Sequence, residues 1–170
     1  MDGQQLLEFR RQKDHFFRHD PHSPIPEHLR ASFEGLDYYP PQPALDLELE
    51  VEPADGSEVR LQTSDGAQQV YQRAKKVRFK VEGEQVELTL LATDHPHDHG
   101  LFLPFRDATS GKETYGAGRY LDLDAPEDGK VRIDFNLAYS PSCAYDDRYS
   151  CPLPPAENWL QVPIRAGEKA

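Results

Sequence analysis

The stretch Ala44-Leu-Asp-Leu-Glu-Leu-Glu-Val-Glu52 alternates apolar with acidic residues: Leu45, Leu47, Leu49 and Val51 against Asp46, Glu48, Glu50 and Glu52. A period of two puts every apolar side chain on one side of an extended chain, so the stretch reads as a half-buried strand with an acidic outer face. The same period recurs downstream. Residues 59–63 and 67–71 flank Asp65-Gly66, a hairpin signal, because both central residues of a type I′ turn need φ > 0. Val77, Phe79 and Val81 alternate with Lys76, Arg78 and Lys80, and Gly83 turns the chain into Val86, Leu88 and Leu90. Further strands are expected at residues 101–105, 114–123, 131–137 and 159–164.

Upstream the period is helical. Asp2 and Gln5 form a capping-box pattern ahead of Leu6, Phe9 and Phe16/Phe17, and Pro21 lies past the helix end. Ser23 as N-cap, Pro24 at the first helical position and Gly35 as the stop signal a second short helix with Leu29 and Phe33 on its buried stripe. Two short helices followed by a run of strands predict a mainly β fold. The expected architecture is an antiparallel barrel-like or sandwich sheet of about eight strands, not a parallel α/β sheet. One domain is expected over residues 1–170: a helical segment (1–36) packed on the sheet, strands (44–137), an ordered loop (138–158) and a final strand (159–166). No Lys or Arg occurs between Arg30 and Arg60, whereas residues 73–80 carry five. Opposite charges facing each other across a strand pair stabilise it by ~0.2–1 kcal/mol each, so the acidic strand is expected beside residues 73–81 or one strand removed.

Composition sets the class. The 170 residues carry 30 Asp+Glu against 19 Lys+Arg, a formal charge of −11. Leu, Ile, Val and Phe total 37 residues, above the ~20% floor below which charged chains stay disordered. Net acidity argues against nucleic acid, whose phosphates are held by Lys and Arg. No apolar run reaches the ~18 residues of a membrane span, and Met1 to Arg10 lacks the pattern of a secretory signal. The expectation is a cytoplasmic protein that binds neither nucleic acid nor membrane. Two cysteines are too few for a disulfide scaffold.

The chemistry concentrates after Phe102. Asp107-Ala-Thr-Ser-Gly111 has turn chemistry, and Gly116 and Gly118 mark a bulge, a bend or a surface closely approached by another group. Arg119 and Tyr120 follow at once. Val131, Ile133, Phe135 and Leu137 share one face if the strand continues, which places Asp134 and Asn136 on the other. A buried carboxylate needs a partner, and Arg119 is the natural one for Asp134. The trio either holds the sheet together or grips a ligand, Arg119 meeting an anion and Asp134 and Asn136 meeting hydroxyl or amide groups.

Residues 138–158 form a long irregular segment with three tyrosines and both cysteines. Cys143 and Cys151 admit a nucleophile, half of a metal site, or else buried structural thiols or a local disulfide under oxidising conditions. Structural, reduced thiols without metal are the expectation. His95, His97 and His99 alternate, which on an extended segment turns all three one way as in a zinc site, but Pro96 and Gly100 favour an exposed loop. His15 and His19 lie one helical turn apart on a solvated face. No metal and no cofactor are implied.

The stretches Pro104-Phe-Arg-Asp-Ala-Thr-Ser-Gly, Thr114-Tyr-Gly-Ala-Gly-Arg-Tyr-Leu, Ile133-Asp-Phe-Asn-Leu-Ala-Tyr-Ser-Pro-Ser-Cys-Ala-Tyr, Cys151-Pro-Leu-Pro-Pro-Ala-Glu-Asn and Ile164-Arg-Ala-Gly-Glu-Lys resemble the domain of unknown function 1684 family. The resemblance covers nearly the whole chain and brings no reaction, substrate or cofactor. It implies that Arg106, Asp107, Thr109, Tyr115, Arg119, Asp134, Asn136, Tyr139, Cys143, Tyr145, Cys151, Asn158 and Glu168 belong to the family's pattern. The histidine cluster does not.

Three functions compete. The first is a barrel binding a small organic molecule with an anionic group, through Arg106, Asp107, Thr109, Tyr115, Arg119, Asp134, Asn136, Tyr139, Tyr145 and Asn158. Its centre would be Arg119, Asp134 and Asn136, with Tyr139 and Tyr145 as aromatic walls. The second is an enzyme, such as a hydrolase, at the same place, with Asp134 or Glu168 as acid/base or Cys143 as nucleophile. The third is a structural or partner-binding module in which these residues only hold the fold together.

Overall fold

The structure is a computed structural model that describes residues 1–93 and 100–170. Helix α1 spans Gly3–His19 and opens on the expected capping box, Asp2 accepting from the Gln5 amide while the Gln5 side chain accepts from the Asp2 amide. Helix α2 is a single turn, Glu27–Arg30. Ser23 is no cap for it. Its hydroxyl donates to the Phe17 carbonyl and accepts from the Ile25 amide, bonds that hold the chain out of helical geometry. Leu29, expected on a buried stripe, is exposed.

The strands are β1 (Asp46–Glu50), β2 (Glu52–Pro53), β3 (Glu58–Gln62), β4 (Gln68–Val81), β5 (Glu84–Ala92), β6 (Leu101–Phe105), β7 (Arg119–Leu123) and β8 (Lys130–Asp134). They pair antiparallel in two sheets. One holds β2-β4-β5-β6-β7 in that order, with β3 also on β4; the other holds β1 and β8. The sheets are not closed into a barrel. Both turn apolar faces into one core, where Val77, Leu88, Leu90, Leu103, Phe105, Ile133 and Phe135 are fully buried. Phe135 sits at its centre, edge-on to Phe105 at 5.5 Å and 5.7 Å from Phe79. Among the described residues no helix is long and apolar enough to cross a membrane.

The acidic strand does not take the expected partner, and it lies in the other sheet from residues 73–81. β1 pairs with β8, setting Glu48 opposite Arg132 and Glu50 opposite Lys130, while Arg132 reaches Asp46 at 2.6 Å. Only the continuation, β2, lies on the basic strand, with Glu52 opposite Lys76 and ion-paired to Arg78. The hairpin at Asp65-Gly66 forms, yet only Gly66 has positive φ, so its turn is not type I′. The type I′ pattern falls at Glu82-Gly83, where both residues have positive φ between Val81 and Glu84.

Three expected strand segments stop short. Residues 107–118 are turns, and β7 begins only at Arg119. β8 ends at Asp134 because the Asp134 carboxylate accepts from the Asn136 amide and caps a 3-10 helix, Phe135–Leu137. No strand forms over 159–166. There Leu160 donates to the Arg106 carbonyl, the Val162 carbonyl accepts from Ala108, and the Ile164 amide donates to the Asp107 side chain. Pro163 has no donor to offer a ladder.

Candidate functional site

Arg119 leaves the start of β7 and is 1% exposed. Its Nη1 donates to the carbonyls of Ala166 (2.5 Å) and Glu168 (3.1 Å). Nη2 donates to the Ile164 carbonyl (2.8 Å) and lies 3.4 Å from Asp107 Oδ2. The guanidinium also lies over the Phe105 ring at 5.3 Å. Burial pulls its pKa down, against the charge of Asp107. Asp107 in turn accepts from the Ile164 amide at 2.6 Å and the Thr109 hydroxyl at 2.7 Å. Residues 164–168 are therefore threaded through a buried clamp.

The expected Arg119–Asp134 pair is not formed. Asp134 uses Oδ1 to accept from the Asn136 backbone and side-chain amides, at 3.0 and 2.8 Å, and the guanidiniums that feel its charge are Arg10 and Arg132. Arg10 is buried, donates from Nη1 to the Tyr39 carbonyl and stacks over Tyr38 at 4.4 Å.

Two asparagines imitate a neighbouring strand. The Asn158 side chain accepts from the Thr89 amide (2.8 Å) and donates to the carbonyls of Thr89 (2.9 Å) and Pro104 (3.0 Å). β5 and β6 diverge there, their register reduced to Leu91 opposite Phe102, and Asn158 supplies the missing ladder bonds. Asn136 does the same for Gln42, accepting from its amide (2.8 Å) and donating to its carbonyl (2.9 Å). Gly118 completes this region. Its φ is +107°, and a Cβ there would stand 2.5 Å from the Phe105 carbonyl oxygen, so that of the three readings open for the glycine pair the close approach holds at Gly118.

Glu168 is as buried as Arg119 but faces the other way. Its Oε2 accepts from Lys13 Nζ at 2.6 Å and its Oε1 from the Tyr145 hydroxyl at 2.7 Å. Lys13 lies 5.1 Å from the Tyr139 ring centre and 5.6 Å from that of Phe17, within cation–π range. Tyr145 meets Phe17 edge-on at 5.3 Å, and the Tyr139 hydroxyl donates to Asp122 at 2.6 Å. Burial is the main cause raising the pKa of both tyrosines, reinforced by the carboxylate each one meets.

Beside this group opens a cavity of about 300 Å³ between α1 and the 139–149 segment. Its wall carries Lys13 and His22, the rings of Phe16 and Phe17, three tyrosines (139, 145 and 149) and the hydroxyls of Ser140 and Ser142. Among the described residues no carboxylate lines it. Other hollows border Asp134 at the start of the chain, one of about 150 Å³ shared with Asn136 and Asp46.

Tyr139 and Tyr145 thus come together at one cavity. Arg119, Asp107, Thr109 and Asn158 form the clamp and the false ladder, while Arg106 lies apart, stacked on Trp159 at 5.0 Å. Tyr115 points its hydroxyl at Cys143 Sγ, 3.6 Å away; burial and that sulfur push its pKa up to about 12. Both cysteines are free, Cys151 buried and Cys143 partly so. Among the described residues no group of three or more His, Cys, Asp or Glu could hold a metal ion. His95, His97 and His99 lie outside the described residues. Sequence reading missed Lys13 and Phe17. The available signal was their i, i+4 spacing, which puts a cation and a ring on one face of α1.

A fold of two antiparallel sheets with a helical N-terminal segment and a clamped C-terminal tail defines the class. The model of the family described as "Protein of unknown function (DUF1684)" matches residues 31–169, and the chain belongs to that family. Among solved structures, the chain is similar to an uncharacterized protein of Haloarcula marismortui determined by solution NMR. The two are 40% identical with a TM-score of 0.74, over 98% of this chain and 93% of that one. No curated protein matches.

Proposed function

We propose that the protein binds a small organic anion, aromatic or otherwise planar, in the cavity between α1 and the 139–149 segment. The observation that carries this reading is the wall itself: rings, hydroxyls, one ammonium and one imidazole, and no carboxylate among the described residues, around about 300 Å³. That volume is at the small end of ligand pockets, ~300–1,000 Å³. Lys13 has two further N–H donors beyond the one given to Glu168, and its side chain is 20% exposed. The recognition group is therefore Lys13 with Tyr139, Tyr145 and Tyr149, in place of a centre on Arg119, Asp134 and Asn136.

The structural-module reading accounts for Arg119, Asp107 and Asn158, whose polar atoms are occupied within the protein, but not for an aromatic cavity next to them. The acid/base reading has less support. Glu168 is dry and bonded twice, and Asp134 caps a turn.

Thermal denaturation with benzoate, phenyl phosphate and the neutral methyl benzoate tests the proposal. A ligand at ~100 times its Kd adds about 2.7 kcal/mol. The anions should raise the Tm and the ester should not. The rise should vanish in Tyr149→Ala and shrink in His22→Ala, both chosen away from the buried ion pair. No shift with either anion, or equal shifts in both variants, overturns the reading.

A further inference from the structure

Cys143 and Cys151 bracket the loop that carries Tyr145 and Tyr149. Cys151 is fixed from outside the loop: its amide donates to Ser64 Oγ (3.1 Å) and its carbonyl accepts from the Ser64 amide (2.9 Å), at the turn joining β3 to β4. Cys143 sits in a 3-10 helix, Ser142–Ala144, and its backbone amide donates to Cys151 Sγ at 3.4 Å. One N–Cα bond of ~1.46 Å further on, the Cys143 Cα is within about 5 Å of that sulfur. A disulfide needs the two sulfurs in bonding contact, and rotation about the Cys143 Cα–Cβ bond swings its sulfur toward that of Cys151. The thiols also differ in access. Cys151 is 7% exposed, whereas Cys143 is partly open and has the Tyr115 hydroxyl 3.6 Å from its sulfur, positioned to donate to a thiolate.

We propose that Cys143 and Cys151 are a reversible dithiol–disulfide pair, oxidised by a small-molecule disulfide of the glutathione class, with Cys143 reacting first. The Cys143 thiolate attacks one sulfur of the oxidant, forming a mixed disulfide and releasing one thiolate. The Cys151 thiolate then attacks the Cys143 sulfur, closing the ring and expelling the second. The two protons leave the cysteines for the two released thiolates. The protein loses two electrons and the oxidant gains two, so no other reagent is needed. Closure pins both ends of the 143–151 loop to the turn between β3 and β4, and with them two walls of the cavity. The pair itself does not depend on the cavity binding a ligand.

The full-length chain is incubated with oxidised glutathione, quenched with an alkylating reagent and weighed intact. The expected product has lost two hydrogens and carries neither alkyl group nor glutathione. Cys151→Ser should stop at one glutathione on Cys143, and Cys143→Ser should react at least tenfold more slowly. Trypsin cleavage after Arg148, which lies between the two cysteines, should leave the oxidised fragments joined until reductant is added. Wild-type protein that stays fully alkylated, holds a stable glutathione adduct or forms covalent dimers instead overturns the proposal. So does equal reactivity of the two single variants.

Discussion

Lys13 Nζ lies 2.6 Å from Glu168 Oε2, a contact buried on the glutamate side that spans 155 residues of sequence and docks the first helix on residues 164–168. Breaking a buried pair from one side typically costs ~3–5 kcal/mol, because the survivor stays charged and dry. Lys13→Met should fall near the lower end, since the Tyr145 hydroxyl still serves Glu168. The double variant Lys13→Met/Glu168→Gln should lose less than the sum of the singles. Urea denaturation of all four proteins checks this, and additivity would contradict the coupling.

Arg119→Met should destabilise by about 3–5 kcal/mol, as it strands Asp107 and three carbonyls in the core. The cost should be strongly non-additive with Asp107→Asn and additive with Asp134→Asn. Double-mutant cycles by thermal or urea denaturation separate the two carboxylates.

Asn158→Ala removes three bonds from a side chain with no exposure. Each buried backbone group left unpaired costs ~1–3 kcal/mol. A loss of about 3 kcal/mol or more is expected, with faster hydrogen exchange at the Thr89 amide ahead of the rest of β5.

Gly118→Ala combines a disfavoured backbone angle with contacts of 2.5 Å to the Phe105 carbonyl and 2.9 Å to Pro154. The loss should exceed about 1 kcal/mol. A stability within error of wild type would mean that β6 and the 154 region yield more easily than their packing suggests.

Acid should uncouple the smaller sheet. Hydrogen bonding from Arg132 holds the Asp46 carboxyl below its ordinary pKa. A folded-state pKa lower than the unfolded one stabilises above the unfolded value of ~3.9, and the gain is lost as pH falls through the folded value. Arg132 is 60% exposed, so the contribution is under about 1 kcal/mol. The urea midpoints of wild type and Asp46→Asn should differ at about pH 6 and converge at about pH 2.

Local rules carried the sequence reading as far as local forces reach. The Asp2–Gln5 cap, the alternation in β1, β4 and β5, and the close approach at Gly118 all depend on near neighbours or on the pleat, and all were legible. The site was legible only in part, because a side chain can end an element that its own pattern appears to continue. Apolar alternation runs on through Phe135 and Leu137, yet the Asp134 carboxylate bonds the Asn136 amide and turns the chain into a 3-10 helix, so the supposed shared face of Asp134 and Asn136 does not exist. Arg119 found its partners in Asp107 and in backbone carbonyls, acceptors that every residue carries and that no composition signals. The opposite-charge rule put the acidic strand beside the wrong basic residues, because Arg132 and Lys130 satisfy it as well as the cluster on β4 does.

The clamp around residues 164–168 also sets an order of assembly. Arg119, Asp107 and Lys13 all complete their bonding through residues 164–168, and the Lys169 amide donates to the Asp37 carbonyl. Contacts of such long sequence separation are slow to close. In refolding from denaturant, helix α1 should therefore dock among the last elements, after the β3–β4 and β4–β5 hairpins have formed. The interlock joins helix α1 and residues 164–168 into one cooperative unit, so that neither loosens without the other.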